Sequence, residues 1–88
     1  MVSKKLKVTN SQGFHMRPAT TFANAMAKYK SDIKIEFNNM EVNAKSVMNL
    51  IAACIKFGAE IKIVCSGEDE EDALREAVSM VESGFGEE

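Results

Sequence analysis

Three short segments of this chain alternate apolar and polar or charged residues so regularly that each can bury only one side. In residues 2–8, Val2, Leu6 and Val8 share one face while Lys5 and Lys7 take the other. Over residues 32–37, Ile33, Ile35 and Phe37 oppose Lys34 and Glu36, and over 59–65, Ile61, Ile63 and Cys65 alternate with Lys62 and Val64. A period of two is that of a half-buried strand. Between these segments the period lengthens to that of a helix. Ala19, Phe22, Ala23 and Met26 form one stripe, a second includes Val47, Met48, Leu50, Ile51, Cys54 and Ile55, and a third holds Leu74, Ala77, Val78 and Val81. With a second short strand at Met40–Asn43 after an Asn38-Asn39 turn, the order is strand, helix, strand, strand, helix, strand, helix. A chain of 88 residues encloses one modest core and is too short for two independent domains. One-sided strands in so short a chain have one economical solution: an α+β open-faced β-sandwich. Its antiparallel sheet of four strands carries three helices on one face and leaves the other wet, with residues 1–88 as one domain.

Local signals set the boundaries. Pro18, the only proline, has no N–H to lose in a first helical turn, so the first helix is expected from about 16 to 28 or 29, with Lys28 and Lys30 at its negative end. Ser46 can cap the second helix, which is expected to run on towards Gly58. The acidic run 68–72 fits the positive end of the third, and Gly84 is placed to stop it.

Charge and apolar runs exclude several functions. A net charge of −2 argues against a nucleic-acid binder and against a polybasic membrane anchor. No apolar run approaches the roughly 20 residues that span a bilayer, so membrane insertion is not expected. The opening Met-Val-Ser-Lys-Lys lacks the apolar core of a signal peptide, which points to the cytoplasm. Cys54 and Cys65 form no metal-ligand spacing and both fall on apolar stripes, so two small buried thiols are expected, with no metal ion or other cofactor.

The stretch Gly13-Phe14-His15-Met16-Arg17-Pro18-Ala19 carries the chemistry. It places the only histidine beside a helix N-terminus, where unpaired N–H groups and the positive end of the dipole favour an anion, and Arg17 adds a planar cation two residues on. A phosphoryl group on His15 would be well received there. Gly-x-His-x-Arg-Pro-Ala resembles the active-site signature of the HPr family, the histidine-containing phosphocarriers of the bacterial phosphoenolpyruvate-dependent sugar phosphotransferase system. The resemblance extends in element order along the whole chain, including Gly58-Ala59-Glu60 before the last strand. It implies a carrier that is a substrate of its partners and not itself an enzyme. Enzyme I would phosphorylate Nδ1 of His15, Arg17 would moderate the phosphoryl charge, and the group would pass to the IIA domain of a sugar permease. A monomer is expected.

Asn43-Ala44-Lys45-Ser46-Val47-Met48 carries a second resemblance. A serine opening the second helix in such a context is, in Gram-positive-type members, the target of an ATP-dependent HPr kinase/phosphorylase, and its phosphorylated form meets a catabolite-control transcription factor; Ser46 matches that position. As chemistry alone, Ser46 is a helix cap. Phe14, Met16, Thr20, Val47, Met48 and Ile51 are expected to form an apolar docking patch near His15, methionine being able to adapt to several partners. Phe14 and Met16 stand where Leu and Ala are usual in the family, and Asn49 where glycine is frequent, which bears on partner preference. Strand, helix, strand, strand, helix, strand, the first six elements of this order, is also the order of the RRM class of RNA-binding modules. Their stacking aromatics are missing from the strands that would carry them, and the chain is acidic. A purely regulatory protein acting through Ser46 would have no use for His15.

Overall fold

Asn38 and Asn39 both adopt positive φ, 51° and 64°, the backbone that lets a two-residue turn follow the natural twist of a hairpin. In the computed structural model, which describes residues 1–86, that turn joins β2 (Asp32–Phe37) to β3 (Met40–Asn43) and pairs Phe37 with Met40. The remaining elements are β1 (Val2–Lys7), α1 (Met16–Ala27), α2 (Val47–Ala52), β4 (Glu60–Ser66), α3 (Glu70–Glu82) and a closing 3-10 turn at Gly84–Gly86. The element order is the one expected from the periodicities.

The strands form one antiparallel sheet in the order β1-β4-β2-β3, so the last strand inserts between the first two. Alternation becomes one-sided burial: Ile33, Ile35, Val42, Ile61, Ile63 and Cys65 are buried, whereas Lys34, Glu41 and Glu60 are exposed. The three helices cover the apolar face, where Phe22 and Met26 of α1, Leu50 of α2 and Val81 of α3 are fully buried. Lys4 is the exception to the pattern. It pairs with Ile63 on the helix side of edge strand β1 and reaches Glu82 of α3 at 4.0 Å. A charge pointing inward from an edge strand hinders edge-to-edge pairing with another sheet.

The structure revises two local expectations. α2 stops at Ala52 instead of running towards Gly58: Ala53 caps it, and Cys54 turns into the left-handed region at φ 56°. The reversal drops Ile55 into the core and aims its carbonyl at the Phe14 N–H, 2.9 Å away. Cys54 is therefore exposed, not buried; only Cys65 is a core thiol, which burial pushes up to about 11. At the other end of α1, Lys28 and Lys30 pair with Glu76 and Glu68 at 2.8 and 3.1 Å. A third lysine, Lys45, donates its Nζ to the carbonyl of Tyr29, just past the C-cap of α1, at 2.7 Å.

Candidate phosphoryl-accepting site

Residues 10–15 are held from below before any side chain is presented. Gly13 has φ 62°, and a Cβ there would lie 2.4 Å from the Ile55 carbonyl oxygen and 2.6 Å from Lys56 Cα. Only glycine can make that approach. The Gly13 N–H donates to the Asn10 carbonyl at 3.1 Å, and the buried Asn10 amide Nδ2 donates back to the Gly13 carbonyl at 2.7 Å. Together with the Phe14 to Ile55 bond, these contacts hold the segment that ends at His15.

His15 is half-buried and is the N-cap of α1, extended at φ −78° and ψ −171°, with its carbonyl accepting from Ala19 N–H at 3.0 Å. Its side chain makes no cap hydrogen bond, and the first turn of α1 holds no acidic residue. Pro18, buried at the third helical position, contributes no N–H, so the amides of Met16 and Arg17 are the donors the helix start offers to an anion. Arg17 is exposed beside them. The structure thus places His15 at a helix N-terminus, with the exposed Arg17 two residues on in the same first turn.

The residues expected to form a docking patch divide. Met16 and Met48 are 70 % and 77 % exposed, Thr20 is exposed, and Val47 and Ile51 are half-buried on α2, which packs against α1. Phe14 departs from the expectation: it is 3 % exposed, its ring edge-on to Phe22 at 5.5 Å and to Phe85 at 4.9 Å. Its ring is a core contact and is not available to a partner. Phe57, which lies on none of the apolar stripes, is 66 % exposed in the turn whose backbone at Lys56 abuts Gly13. The available signal was an aromatic that belongs to neither a strand nor a helix stripe. Charge gives another: residues 1–31 and 43–59 contain no Asp or Glu, so α1, α2 and the turn after them carry cations only. A concavity of about 840 Å³ opens elsewhere, between Lys5, Phe37, Met40, Glu41 and Lys62, and none of its lining residues belongs to the His15 loop, α1 or α2.

Ser46 is half-buried at the N-cap of α2, where its Oγ accepts from the Asn49 N–H at 3.2 Å. The neighbouring Lys45 points away, to Tyr29. Among the described residues no helix is long and apolar enough to cross a membrane.

Fold and site describe a small protein with a histidine at a helix start that holds no acidic residue, and with exposed apolar side chains on and beside α1 and α2. The chain belongs to the HPr family, since the model of the PTS HPr component phosphorylation site matches residues 2–83. It is 34 % identical over 82 residues to the HPr-like protein Crh of Bacillus subtilis, covering 93 % of this chain and 96 % of that one. HPr-C-His from Thermoanaerobacter tengcongensis superposes with a TM-score of 0.96 at 38 % identity, over 100 % of this chain and 99 % of the other. An HPr dimer from the same organism superposes with a TM-score of 0.79 at 37 % identity, covering 99 % and 100 %. This family's members are phosphocarriers of the phosphotransferase system rather than enzymes, and this chain is one of them.

Proposed function

We propose that His15 is the phosphoryl acceptor, taking the group on Nδ1 from enzyme I, with phosphoenolpyruvate as the original donor, and yielding it to the IIA domain of a sugar permease. The observation that carries this reading is the helix start with no acidic residue in its first turn: His15 at the N-cap, followed by the Met16 and Arg17 amides. In the transfer, the donor's bond to phosphorus breaks as the nitrogen–phosphorus bond to His15 forms. The equatorial oxygens meet the two amides and the Arg17 guanidinium, which lower the cost of bringing three charged oxygens to a neutral nucleophile. Exposed Met16, Met48 and Phe57, on a surface bearing cations only, favour partners with an apolar patch rimmed by carboxylates. The carrier acts as a single copy, which leaves this face whole for each partner in turn; sedimentation at working concentration tests that state.

Ser46 serves as a switch in the same proposal. An HPr kinase/phosphorylase would add about −1.5 to −2 charges at the start of α2, next to Val47 and Met48, so that enzyme I would have to approach a strongly hydrated group. The new dianion would also suit a basic partner such as a catabolite-control transcription factor. The similarity to Crh, a catabolite-repression HPr of Bacillus subtilis, supports this part of the reading.

The test is incubation with enzyme I and labelled phosphoenolpyruvate. Acid-labile, base-stable label is expected in the wild type and none in His15→Ala, whose melting temperature should stay close to that of the wild type. Label retained by His15→Ala would overturn the assignment. Arg17→Lys keeps the charge but loses the planar fork, so slower transfer at nearly unchanged stability is expected.

A further inference from the structure

After α3 the chain does something unfavourable. Ser83 caps the helix, its N–H donating to the Ser79 carbonyl at 3.0 Å, and then three successive residues take positive φ: Gly84 at 65°, Phe85 at 58° and Gly86 at 76°. The Gly86 N–H closes the turn on the Ser83 carbonyl at 3.2 Å. Glycine enters this region freely, but an aromatic residue does not, and it stays there only where its surroundings over-determine it. The surroundings in question are the segment that leads to His15. Gly84 is buried against Asn10, where an added Cβ would stand 3.5 Å from the Asn10 Cβ, and Thr9 Oγ1 donates to the Val81 carbonyl just upstream at 3.3 Å. The Phe85 ring lies 4.9 Å from Phe14 and 6.0 Å from Phe22, edge-on to both, so three aromatic rings meet under the start of α1.

The turn therefore touches the His15 segment at two points, Asn10 and Phe14. Asn10 donates to the Gly13 carbonyl, and Phe14 is the residue before His15, with its N–H fixed on Ile55. We propose that the C-terminal turn Gly84–Gly86 is a strap that fixes the His15 loop, and that Phe85 is a positioning residue for phosphoryl transfer. This rests on the reading that His15 is the acceptor. Phe85 touches neither the phosphoryl group nor a partner; it acts through Phe14, by keeping the N-cap residue where the Met16 and Arg17 amides can meet the incoming oxygens. Without the ring, Phe14 gains room to move and the His15 backbone moves with it.

The experiment compares wild type, Phe85→Ala, Phe85→Leu and Leu74→Ala in the enzyme I assay. Leu74 packs on the core from α3 and serves as the stability control. For Phe85→Ala, kcat for phosphorylation should fall about five- to tenfold with KM for the carrier within about twofold. Phe85→Leu, which restores an apolar side chain against Phe14, should recover most of the rate. Amide hydrogen exchange supplies a readout that does not depend on phosphorylation. Protection of the Phe14 N–H should drop in Phe85→Ala by a larger factor than that of Ile63 in the central strand, whereas Leu74→Ala should lower both alike. Wild-type kcat in Phe85→Ala, or equal slowing in Phe85→Ala and Leu74→Ala, would overturn the strap while leaving the carrier reading intact. A wild-type protein that took no label would overturn the carrier reading, and the positioning role with it.

Discussion

The starts of α1 and α3 present the same problem, N–H groups without helical partners at a positive helix end, and the chain answers it in opposite ways. At α3, Glu70, Glu71 and Asp72 fill the first turn, and the Gly67 N–H donates to Glu70 Oε1 at 3.1 Å. Glu70 also meets the terminal amino group at 3.1 Å, and both contacts hold its carboxyl below the ordinary carboxylate range, the Gly67 bond more strongly. Asp69, the N-cap, turns its carboxylate across to the end of α1, where it accepts from the Ser31 hydroxyl, the Lys30 N–H at 2.8 Å and the Ser31 N–H at 2.9 Å. Those bonds, the Ser31 hydroxyl foremost, hold its carboxyl near 2. α1 begins with no acid, no side-chain cap and an extra cation in Arg17. One start has its anion built in and uses it to join two parts of the fold; the other holds no acidic residue of its own, and in the proposed function the phosphoryl group on His15 would take that position. α2 stands between them, its start capped by a neutral Ser46 that phosphorylation would make anionic.

The contrast is sharpest at the glycine beneath each start. Gly13 lies on the Ile55 carbonyl, and Gly67, at φ 155°, lies where a Cβ would be 2.6 Å from Ser31 Cα. Gly13→Ala combines a left-handed alanine with a backbone clash that no rotamer relieves, so a loss of about 3 kcal/mol is expected in denaturant melts. Phosphoryl acceptance by the fraction still folded should fall with it. Gly67→Ala should also lose stability yet keep its specific transfer rate; parallel loss of transfer in both variants would dissolve the distinction between the two starts.

A pH series tests the built-in anion. Asp69 has a folded value near 2, below its ordinary 3.8, so its contribution to stability is fully present above about pH 4 and is lost as pH falls towards 2. Asp69→Asn should therefore lower the melting temperature at neutral pH, and the gap to wild type should narrow across that window. Phosphoryl transfer at pH 7 should be unaffected. A gap independent of pH would mean that the Asp69 carboxylate does not hold the α1–β2 junction by its charge.

Ser46 supplies the intermediate case. Ser46→Ala removes the acceptor for the Asn49 N–H and should cost about 1 kcal/mol without changing transfer to His15. Ser46→Asp retains an acceptor at the cap and should slow transfer instead, in proportion to how closely it imitates the phosphorylated form. Equal transfer rates for wild type, Ser46→Asp and kinase-modified protein, with the modification confirmed by mass, would remove the switch.

The smallest effect lies where the two compared helices touch. Tyr29, just past α1, donates its hydroxyl to Glu76 of α3, and this bond, ahead of burial, pushes the phenol up to about 12. It is the only tyrosine, so absorbance at alkaline pH reads it directly. In the unfolded chain it titrates near 10, so its stabilising share persists up to about pH 10 and disappears as pH rises towards 12. Glu76→Gln should bring the folded titration back down towards 10.

Much of this was legible in the chain, for physical reasons that differ from residue to residue. The period of two in residues 32–37 names the buried side of β2 because burial on one face is what selects that pattern, and Asn38-Asn39 tolerates the positive φ that closes the hairpin. His15, Arg17 and Pro18 stand close enough in sequence for their joint geometry at one helix start to follow from local rules, and the Ser46 cap needs only the three residues after it. What depended on distant contacts could not be read this way. Phe14 belongs to the core because Phe22 and Phe85 close around it from 8 and 71 positions away along the chain. Cys54 leaves its stripe because Ile55 has to reach both the core and the Phe14 amide, which ends α2 early. The insertion of β4 between β1 and β2, the turn of Lys45 towards Tyr29 and the grip of Asp69 on Ser31 each join segments whose spacing carries no shared period. Periodicity records which side of a segment is buried, and local chemistry records how a helix begins. Which segment lies against that buried side is decided only when the chain closes on itself, because the packing energy belongs to the pair and not to either sequence alone.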